Sequence, residues 1–246
     1  MYLDDQDSLE LSINSVHEPF ETKILGGLVR EGGVVLDVGA NIGYYTLQFA
    51  RQVGANGHVF AFEPDAANFE LLGKNLQVNG YANVTLIKQA VSNYNGPTRL
   101  YLSARNRGDH RTYQSDEHRE STEIQSIRLS DHFKAVNQPI DLIKMDIQGA
   151  EYQAFLGMQE LLLRNPGVVL VTEFWPYGIR RSGAPPQAYL ELIAGSGFEL
   201  FEISEEKETV ERIEPRCLLE KLGDSMEEST NLMCRRISPA SSPRDV

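Results

Sequence analysis

The chain has 246 residues, of which 23 are Lys or Arg and 35 are Asp or Glu, so its formal net charge is −12. Hydrophobic residues make up 41% of the chain, which excludes a mainly disordered, collagenous or coiled-coil protein. The negative charge argues against general binding of nucleic acid, which needs a basic surface. No segment approaches the roughly 20 consecutive apolar residues of a membrane span.

The N-terminal stretch 1–5 is acidic, and no apolar core of a secretory leader is visible. The two cysteines, Cys217 and Cys234, are too few for a disulfide scaffold and lack the spacing of a metal site. We therefore expect a cytoplasmic protein. The sequence leaves the oligomeric state open, a homodimer included.

Strand-like and helical segments alternate along the chain. Five short β-branched or aromatic runs are predicted to be buried parallel strands, at 34–38, 58–62, 84–87, 141–145 and 168–172. Helical patterns are found at 18–30, 44–52, 66–79, 150–163 and 187–196. This alternation predicts an α/β fold with a doubly wound, mostly parallel sheet covered on both faces.

Two regions interrupt this alternation. Residues 98–128 contain two strand-like pieces, 98–102 and 122–129, with no helix between them, and we interpret them as a mid-chain insertion near the substrate site. Near the C-terminus, 198–203 and 231–237 predict an antiparallel strand pair. With this pair the predicted sheet has seven strands.

The segment 204–229 between the last two strands holds nine acidic and four basic residues, and we predict a solvated excursion away from the substrate site. We expect one domain over 1–237 and a flexible tail over 238–246.

The strongest motif is D-V-G-A-N-I-G-Y-Y-T at 37–46, where a buried strand enters a glycine-containing turn that opens a helix. Glycines allow the backbone to approach a ligand closely, and the helix start offers free N–H groups. A dinucleotide fingerprint would need glycine at 39, 41 and 44, but the chain has Asn41 and Tyr44 there. An NAD-linked oxidoreductase is therefore disfavoured.

The next strand ends in F-A-F-E-P at 60–64, and Glu63 lies 20 residues after Gly43. A carboxylate at this position can accept hydrogen bonds from both ribose hydroxyls. The alternative is that Glu63 caps the helix that starts near Asp65.

A further strand ends in charged residues, Lys144 and Asp146. Charges are costly in a buried strand unless they are paired or used, and ligands bind at the carboxyl ends of such strands. The two residues are two positions apart, so they share a face of the strand and can pair.

Together these motifs resemble the FkbM family of S-adenosylmethionine (SAM)-dependent O-methyltransferases, a class I, Rossmann-like family. That family carries a D-V-G-A-N-x-G-x-x-T turn, an F-E-P motif and a K-x-D-x-E-G-x-E segment, and the resemblance covers roughly 18–203. One departure is Gln148, where the family commonly has Glu. The lost charge argues against a general base or a metal ligand at this position.

The resemblance implies that SAM is the cofactor and that the first turn wraps its methionine part. In this interpretation Asp37 orients the amino group or a water bound to it, Glu63 binds the ribose, and Asp146 projects beside the transferable methyl. The cofactor-binding residues are then Asp37, Gly39, Asn41, Gly43, Thr46, Glu63, Pro64, Ala90, Val91 and Asp146, with Ala90 and Val91 beside the adenine.

Candidate acceptor-binding residues follow the fifth strand. Glu173 ends this strand, and Trp175, the only tryptophan, comes shortly after it with aromatic neighbours. Such a cluster can form a stacking wall over a substrate or simply fill a strand end. Arg180 and Arg181 could bind an anionic group or lie in a solvated loop.

The insertion adds a locally basic segment, 105–113. Arg111 is a candidate for substrate binding. His110 is the best histidine candidate for a general base, because the ordinary pKa of histidine suits proton removal at neutral pH.

We hypothesise that Asp146 orients an acceptor hydroxyl while His110 or Glu173 removes its proton, so the catalytic candidates are Asp146, Glu173, His110 and Lys144. Asp146 and Glu173 could instead hold a divalent metal that acidifies the hydroxyl. No motif requires a metal, and its presence stays open.

The predicted reaction is O-methylation of a hydroxyl on a small molecule, a sugar or glycan, or a natural product. A protein or peptide N-methyltransferase stays an alternative. A non-catalytic SAM-fold binding protein is disfavoured because Lys144, Asp146 and Glu173 are present. A nucleic-acid methyltransferase is disfavoured by the net charge and by D-I-Q-G at 146–149, where amino-group enzymes often carry N-P-P-Y or D-P-P-Y.

Overall fold

The computed structural model describes residues 1–114, 118–223, 225–226 and 228–236. Its helices are α1 (Leu11–Asn14), α2 (Pro19–Leu28), α3 (Tyr44–Val53), α4 (Ala66–Asn79), α5 (Leu129–His132), α6 (Glu151–Arg164), α7 (Pro176–Arg181), α8 (Pro186–Gly195) and α9 (Pro215–Leu222). Its strands are β1 (Val34–Val38), β2 (His58–Phe62), β3 (Val84–Ile87), β4 (Ala90–Val91), β5 (Gly96–Tyr101), β6 (Ser121–Ile127), β7 (Leu142–Met145), β8 (Val169–Phe174), β9 (Glu199–Ser204), β10 (Thr209–Arg212) and β11 (Thr230–Arg235).

In the described ranges the main sheet has eight strands in the order β10-β9-β11-β8-β7-β1-β2-β3. The strands from β3 to β8 in this order run parallel, and Val35 of β1 lies between Val59 and Leu142 of its two neighbours. Strand β11 is antiparallel to both β8 and β9. The predicted doubly wound fold is confirmed. It has one strand more than expected, because β10 turns back and pairs with β9.

Helices cover both faces of this sheet because the buried strands are apolar on both sides. All five residues of β1 are buried. Val34, Leu36 and Val38 belong to the cluster that includes Phe155 of α6, whereas Val35 belongs to the cluster that includes α2 and α3. This alternation places α2 and α3 on one face and α5, α6 and α8 on the other.

The predicted strand and helix ends agree with the observed ones to within two residues wherever the chain is described, the normal scatter at element ends. None of the helices in these ranges has the length and apolar character needed to cross a membrane. The single domain over 1–237 stays a prediction.

The mid-chain insertion forms a separate small sheet in the order β4-β6-β5. Its two predicted strands pair antiparallel, with Thr98 opposite Ile124. Strand β4 follows β3 directly and pairs parallel with β6. The insertion therefore begins at the carboxyl end of β3, on the side of the main sheet where the turns after the parallel strands lie.

The acidic segment 204–229 is not simply a solvated excursion, so that prediction is wrong in part. It contains β10 and α9, and Leu218 and Leu222 of α9 are buried against the core. A count of charges hides this amphipathic pattern, since apolar residues four apart share one helix face. The predicted tail 238–246 and residue 237 of the predicted last strand lie outside the described residues.

Candidate active site

A cleft of about 840 Å³, including its space open to solvent, lies at the carboxyl ends of β1, β2 and β7. We call it the strand-end cleft. Ligands bind at this edge of open α/β sheets. Of the predicted cofactor residues, the cleft is lined by Gly39, Asn41, Glu63, Pro64, Ala90, Val91 and Asp146.

Gly39 lets the turn after β1 pass close to the end of β7. Its φ of 86° lies in the left-handed region, and a Cβ at this position would overlap the backbone oxygen of Asp146. Only glycine allows this approach without displacement of the neighbouring strand end.

Asp37 and Thr46 lie behind the cleft and line neither it nor the second cavity described below. The Thr46 hydroxyl donates to Asp37 Oδ2 at 2.5 Å, and Asp37 is buried. Gly43 is also absent from the walls. The other carboxylate oxygen, Asp37 Oδ1, is buried without a hydrogen-bond partner among the described residues, so the contact of Asp37 with the cofactor's amino group, directly or through a water, stays a prediction. All three residues shape the turn from behind.

Glu63 connects the two strand-end turns. Its carboxylate accepts the N–H of Asn41 at 2.9 Å and that of Asp65 at 2.8 Å. Asp65 itself caps α4, by accepting the N–H groups of Ala67 and Asn68, so the capping role considered for Glu63 belongs to Asp65. Burial raises the pKa of Glu63 to about 8.

The walls of the cleft fit a nucleoside that carries an amino-acid chain. The Glu63 carboxylate suits ribose hydroxyls, and Ala90 and Val91 offer a small apolar surface to a base. The side-chain oxygen of Asn41 is buried without a hydrogen-bond partner among the described residues. Such an atom is costly unless a ligand or water satisfies it.

Lys144 and Asp146 form the predicted pair, with Nζ 3.3 Å from Oδ2. The Lys144 ammonium also lies 4.7 Å from the ring centre of Tyr45. Burial by itself lowers the pKa of Lys144, but the carboxylates of Asp146 and Asp37 outweigh it and raise that pKa. Lys144 therefore stays protonated and cannot act as a base.

Gln148 lies between two carboxylates. Its amide nitrogen donates to Asp146 Oδ1 at 2.8 Å and lies 3.5 Å from Glu173 Oε2. Burial raises the pKa of Asp146, but Lys144 and the Gln148 amide together hold it below its usual range. Burial, followed by the charges of Asp146 and Glu151, raises the pKa of Glu173 well above its usual range.

Glu151 is a third carboxylate beside this pair, and carboxylate oxygens of Asp146, Glu151 and Glu173 lie within 4.8 Å of one another. One oxygen of the set, Glu151 Oε2, is buried without a hydrogen-bond partner among the described residues. Glu151 Oε1 accepts the N–H groups of Ile147 and Gly149, while N–H donors of Lys144 and Gln148 occupy both oxygens of Asp146. A cation bound through Asp146 would compete with these donors, and the presence of a metal stays open.

A second cavity adjoins the first, and we call it the outer cavity. Gln148, Arg107 and His110 line both. In the outer cavity the Arg111 guanidinium stacks 4.8 Å from the Trp175 ring centre and binds Asp109 at 2.7 Å.

Trp175 is held at its other end, where its Nε1–H donates to the backbone oxygen of Met226 at 3.0 Å. The acidic segment therefore reaches this cavity, contrary to the prediction that it lies away from the site.

His110 lines both cavities, but its hydrogen bonding does not suit a base. Its Nδ1 accepts the N–H of Ser103 at 3.0 Å, and burial lowers the pKa of its ring. A neutral ring with an accepting Nδ1 carries its proton on Nε2. His110 is therefore placed as a hydrogen-bond donor.

The sequence from 37 to 200 matches the model of the methyltransferase FkbM domain. The chain belongs to this family. The match covers the strand-end turns, both cavities' central residues and the mid-chain insertion, and it confirms the resemblance drawn from the motifs.

Individual relatives agree with this family. The chain is 27% identical over 201 residues to methyltransferase sdnD of Sordaria araneosa, a match that covers 68% of this chain and 73% of the relative. It is 39% identical over 59 residues to a protein-L-isoaspartate O-methyltransferase of Methanothrix thermoacetophila, covering 24% of this chain and only 28% of that relative.

Solved structures share the fold. A crystal structure of methyltransferase FkbM from Methylobacillus flagellatus KT matches with a TM-score of 0.52 and 15% identity, covering 84% of this chain and 45% of that one. Other solved structures of the same fold include SAM-dependent methyltransferases.

Two predicted substrate residues of this FkbM domain lie outside both cavities. Arg180 and Arg181 occupy the last turn of α7, where positive charge interacts favourably with the helix C-terminus, and neither lines the walls. A role of the pair in substrate binding stays a prediction.

The N-terminal segment and the insertion also contact each other over the strand-end cleft, an arrangement that the sequence does not reveal. Arg107 of the insertion binds the Asp5 carboxylate at 2.8 Å, and its N–H donates to the Ser8 hydroxyl at 2.8 Å. Leu9 and His17 from the N-terminal segment line the cleft below. Contacts between residues about 100 positions apart leave no local pattern in the sequence. The basic character of the insertion indicated only that this segment lies near the substrate site.

Proposed function

We propose that the protein transfers the methyl group of SAM to a hydroxyl oxygen of a small acceptor, such as a sugar, a glycan unit or a hydroxylated natural product. The observation that carries this proposal is the position of Asp146, Gln148 and Glu173. Asp146 lines the strand-end cleft, Glu173 lines the outer cavity, and Gln148 lines both. Cofactor and acceptor would therefore meet at these side chains.

When bound, the cofactor supplies an electrophilic methyl group, so the protein has to align the acceptor oxygen and remove its proton. Asp146 stays ionised beside Lys144 and can accept a hydrogen bond from the acceptor hydroxyl. Glu173, whose pKa is raised by burial, is the base we propose, because a raised pKa increases a carboxylate's strength as a base near neutral pH. His110 then donates a hydrogen bond from Nε2.

The outer cavity supports a polar acceptor. Its walls include the Trp175 ring and charged side chains that both donate and accept hydrogen bonds, among them Asp109, Arg111 and Arg119. Asp109 binds both arginines, with 2.5 Å to Arg119, so these cations are already partly neutralised. We therefore infer a hydroxyl-rich acceptor in preference to a highly anionic one.

The test begins with calorimetry of S-adenosylhomocysteine (SAH) binding to the full chain. A methyl-labelled donor is then used against a panel of glycans and hydroxylated metabolites. We expect Asp146→Asn to bind SAH but to lose roughly 100-fold in rate on the accepted substrate, while the exposed Asp131→Asn keeps the wild-type rate. A wild-type chain that does not bind SAH would refute the proposal.

A further inference from the structure

His17 lines the strand-end cleft, where its ring packs on Tyr44 and its charge acts on Asp146 just after β7. Ala90 and Val91 also line the cleft but belong to β4, which follows β3 and so lies on the far side of β1 and β2 from β7. The proposed nucleoside position leaves the amino-acid portion of the cofactor for the part of the cleft beside His17.

The His17 side chain is held on several sides. Its Nε2 lies 3.4 Å from Glu18 Oε2, and its ring packs edge-on against Tyr44 at a centroid distance of 5.8 Å. The Tyr44 hydroxyl oxygen accepts the backbone N–H of His17 at 3.2 Å. These contacts place the imidazole beside Glu18 and Tyr44.

Glu18 has further partners of its own. The Tyr45 hydroxyl donates to Glu18 Oε2 at 2.9 Å, and the Asn231 amide lies 3.4 Å from Oε1. A carboxylate with partners from α3 and β11 can orient the histidine ring, as carboxylates do for other functional histidines. With Nε2 directed at Glu18, the remaining ring nitrogen of His17 has no hydrogen-bond partner among the described residues.

The charged side chains around His17 are mostly acidic, so they do not offer a partner to a carboxylate of the ligand. Glu18, Glu21, Asp37 and Asp146 all act electrostatically on Lys144 or on one another, so this part of the cleft suits an ammonium or a sulfonium. A carboxylate there needs a cationic or N–H donor of its own. Lys144 is already committed to Asp146 and to the Tyr45 ring.

We propose that His17, oriented by Glu18, binds the α-carboxylate of the cofactor's amino-acid portion through its Nδ1–H, an inference that rests on the proposed use of SAM. In the bound state a protonated His17 ring, which has taken up one proton from solvent, then bridges two carboxylates, those of Glu18 and of the ligand, with one N–H to each. His17 thereby adds a donor from the N-terminal segment to a cleft otherwise built at strand ends.

The test compares two ligands and two forms of the protein by calorimetry. The ligands are SAH and its decarboxylated analogue, which differs only in lacking the carboxylate. We expect the wild-type chain to bind the analogue about 10-fold more weakly than SAH, and His17→Ala to bind both with the analogue's affinity. His58→Ala, a histidine on β2 outside both cavities, should keep the wild-type difference.

His17→Gln, which retains an N–H donor, should recover part of the preference for SAH, and thermal unfolding reports whether each variant folds. Equal wild-type affinity for the two ligands overturns the inference alone, and so does a His17→Ala chain that still prefers SAH by the wild-type factor. A folded wild-type chain that binds neither ligand overturns the proposed function instead.

Discussion

The strand-end cleft and the outer cavity meet at Gln148, but they are formed by different types of segment. The cleft's floor consists of turns that directly follow β1, β2 and β7. The outer cavity is assembled from the insertion, from Trp175 after β8 and from Met226 in the acidic segment. A cofactor common to many enzymes can be served by the invariant edge of a sheet, whereas an acceptor site made of loops is free to vary.

Gly39→Ala is the substitution that we expect to disrupt the strand-end cleft most strongly. The new Cβ meets the Asp146 backbone oxygen at a φ of 86°, so we expect about 3 kcal/mol of destabilisation and loss of SAH binding. Denaturant unfolding and calorimetry measure the two effects. Gly27→Ala in α2, where a Cβ meets nothing within 4 Å, is the matched control and should not destabilise the protein.

Glu173→Gln should affect the acceptor side alone. We expect the rate at saturating SAM to fall roughly 10²- to 10⁴-fold, because the proposed base is lost, while SAH affinity stays unchanged. Since a base acts unprotonated, the wild-type rate should rise with pH through the raised pKa of Glu173, and the variant should lose this rise.

The exposed Glu123→Gln on β6, a residue that lines neither cavity, is the control for Glu173. An equal loss of SAH affinity and rate in Glu173→Gln would show that the two regions do not function separately.

Glu63→Gln should have the converse effect. Both carboxylate oxygens accept backbone N–H groups, and a glutamine can match only one of them. We expect SAH affinity to fall roughly 10-fold or more, with the rate at saturating SAM within about twofold of the wild type. Calorimetry and steady-state kinetics check this, with exposed Glu70→Gln as control. Unchanged SAH affinity would contradict a ribose contact.

The smallest expected effect is that of a chelator. Because N–H donors of Lys144 and Gln148 occupy both Asp146 oxygens, we expect EDTA treatment and subsequent dialysis to change the rate by less than about twofold. A large loss that added Mg²⁺ restores would mean that the Gln148 amide moves aside for a cation.

The two regions also differ in how far the sequence predicts them. The strands β1, β2, β3, β7 and β8 follow from short apolar runs, and the turn at 37–46 and Glu63 follow from their place at strand ends. These are local patterns whose physics repeats in every doubly wound sheet.

The remainder depends on contacts between distant segments. The Trp175 indole N–H donates to the backbone oxygen of Met226, 51 residues later in the chain, and the Arg107 guanidinium binds the Asp5 carboxylate. The sequence predicts His110 as a general base, but in the structure its Nδ1 accepts the N–H of Ser103. This hydrogen bond depends on how the insertion folds back on itself. Such a bond decides which nitrogen is protonated, and the residue type alone does not.

The place of β11 in the sheet has a consequence for biosynthesis. Residues 230–235 lie between β8 and β9, although they follow both in the chain. During translation, β8 therefore emerges with an unpaired edge, and the β9–β10 hairpin has no partner in the sheet until β11 leaves the ribosome. Unpaired edges invite association with other chains, so nascent chains stopped before Thr230 should depend on chaperones more than the completed protein does.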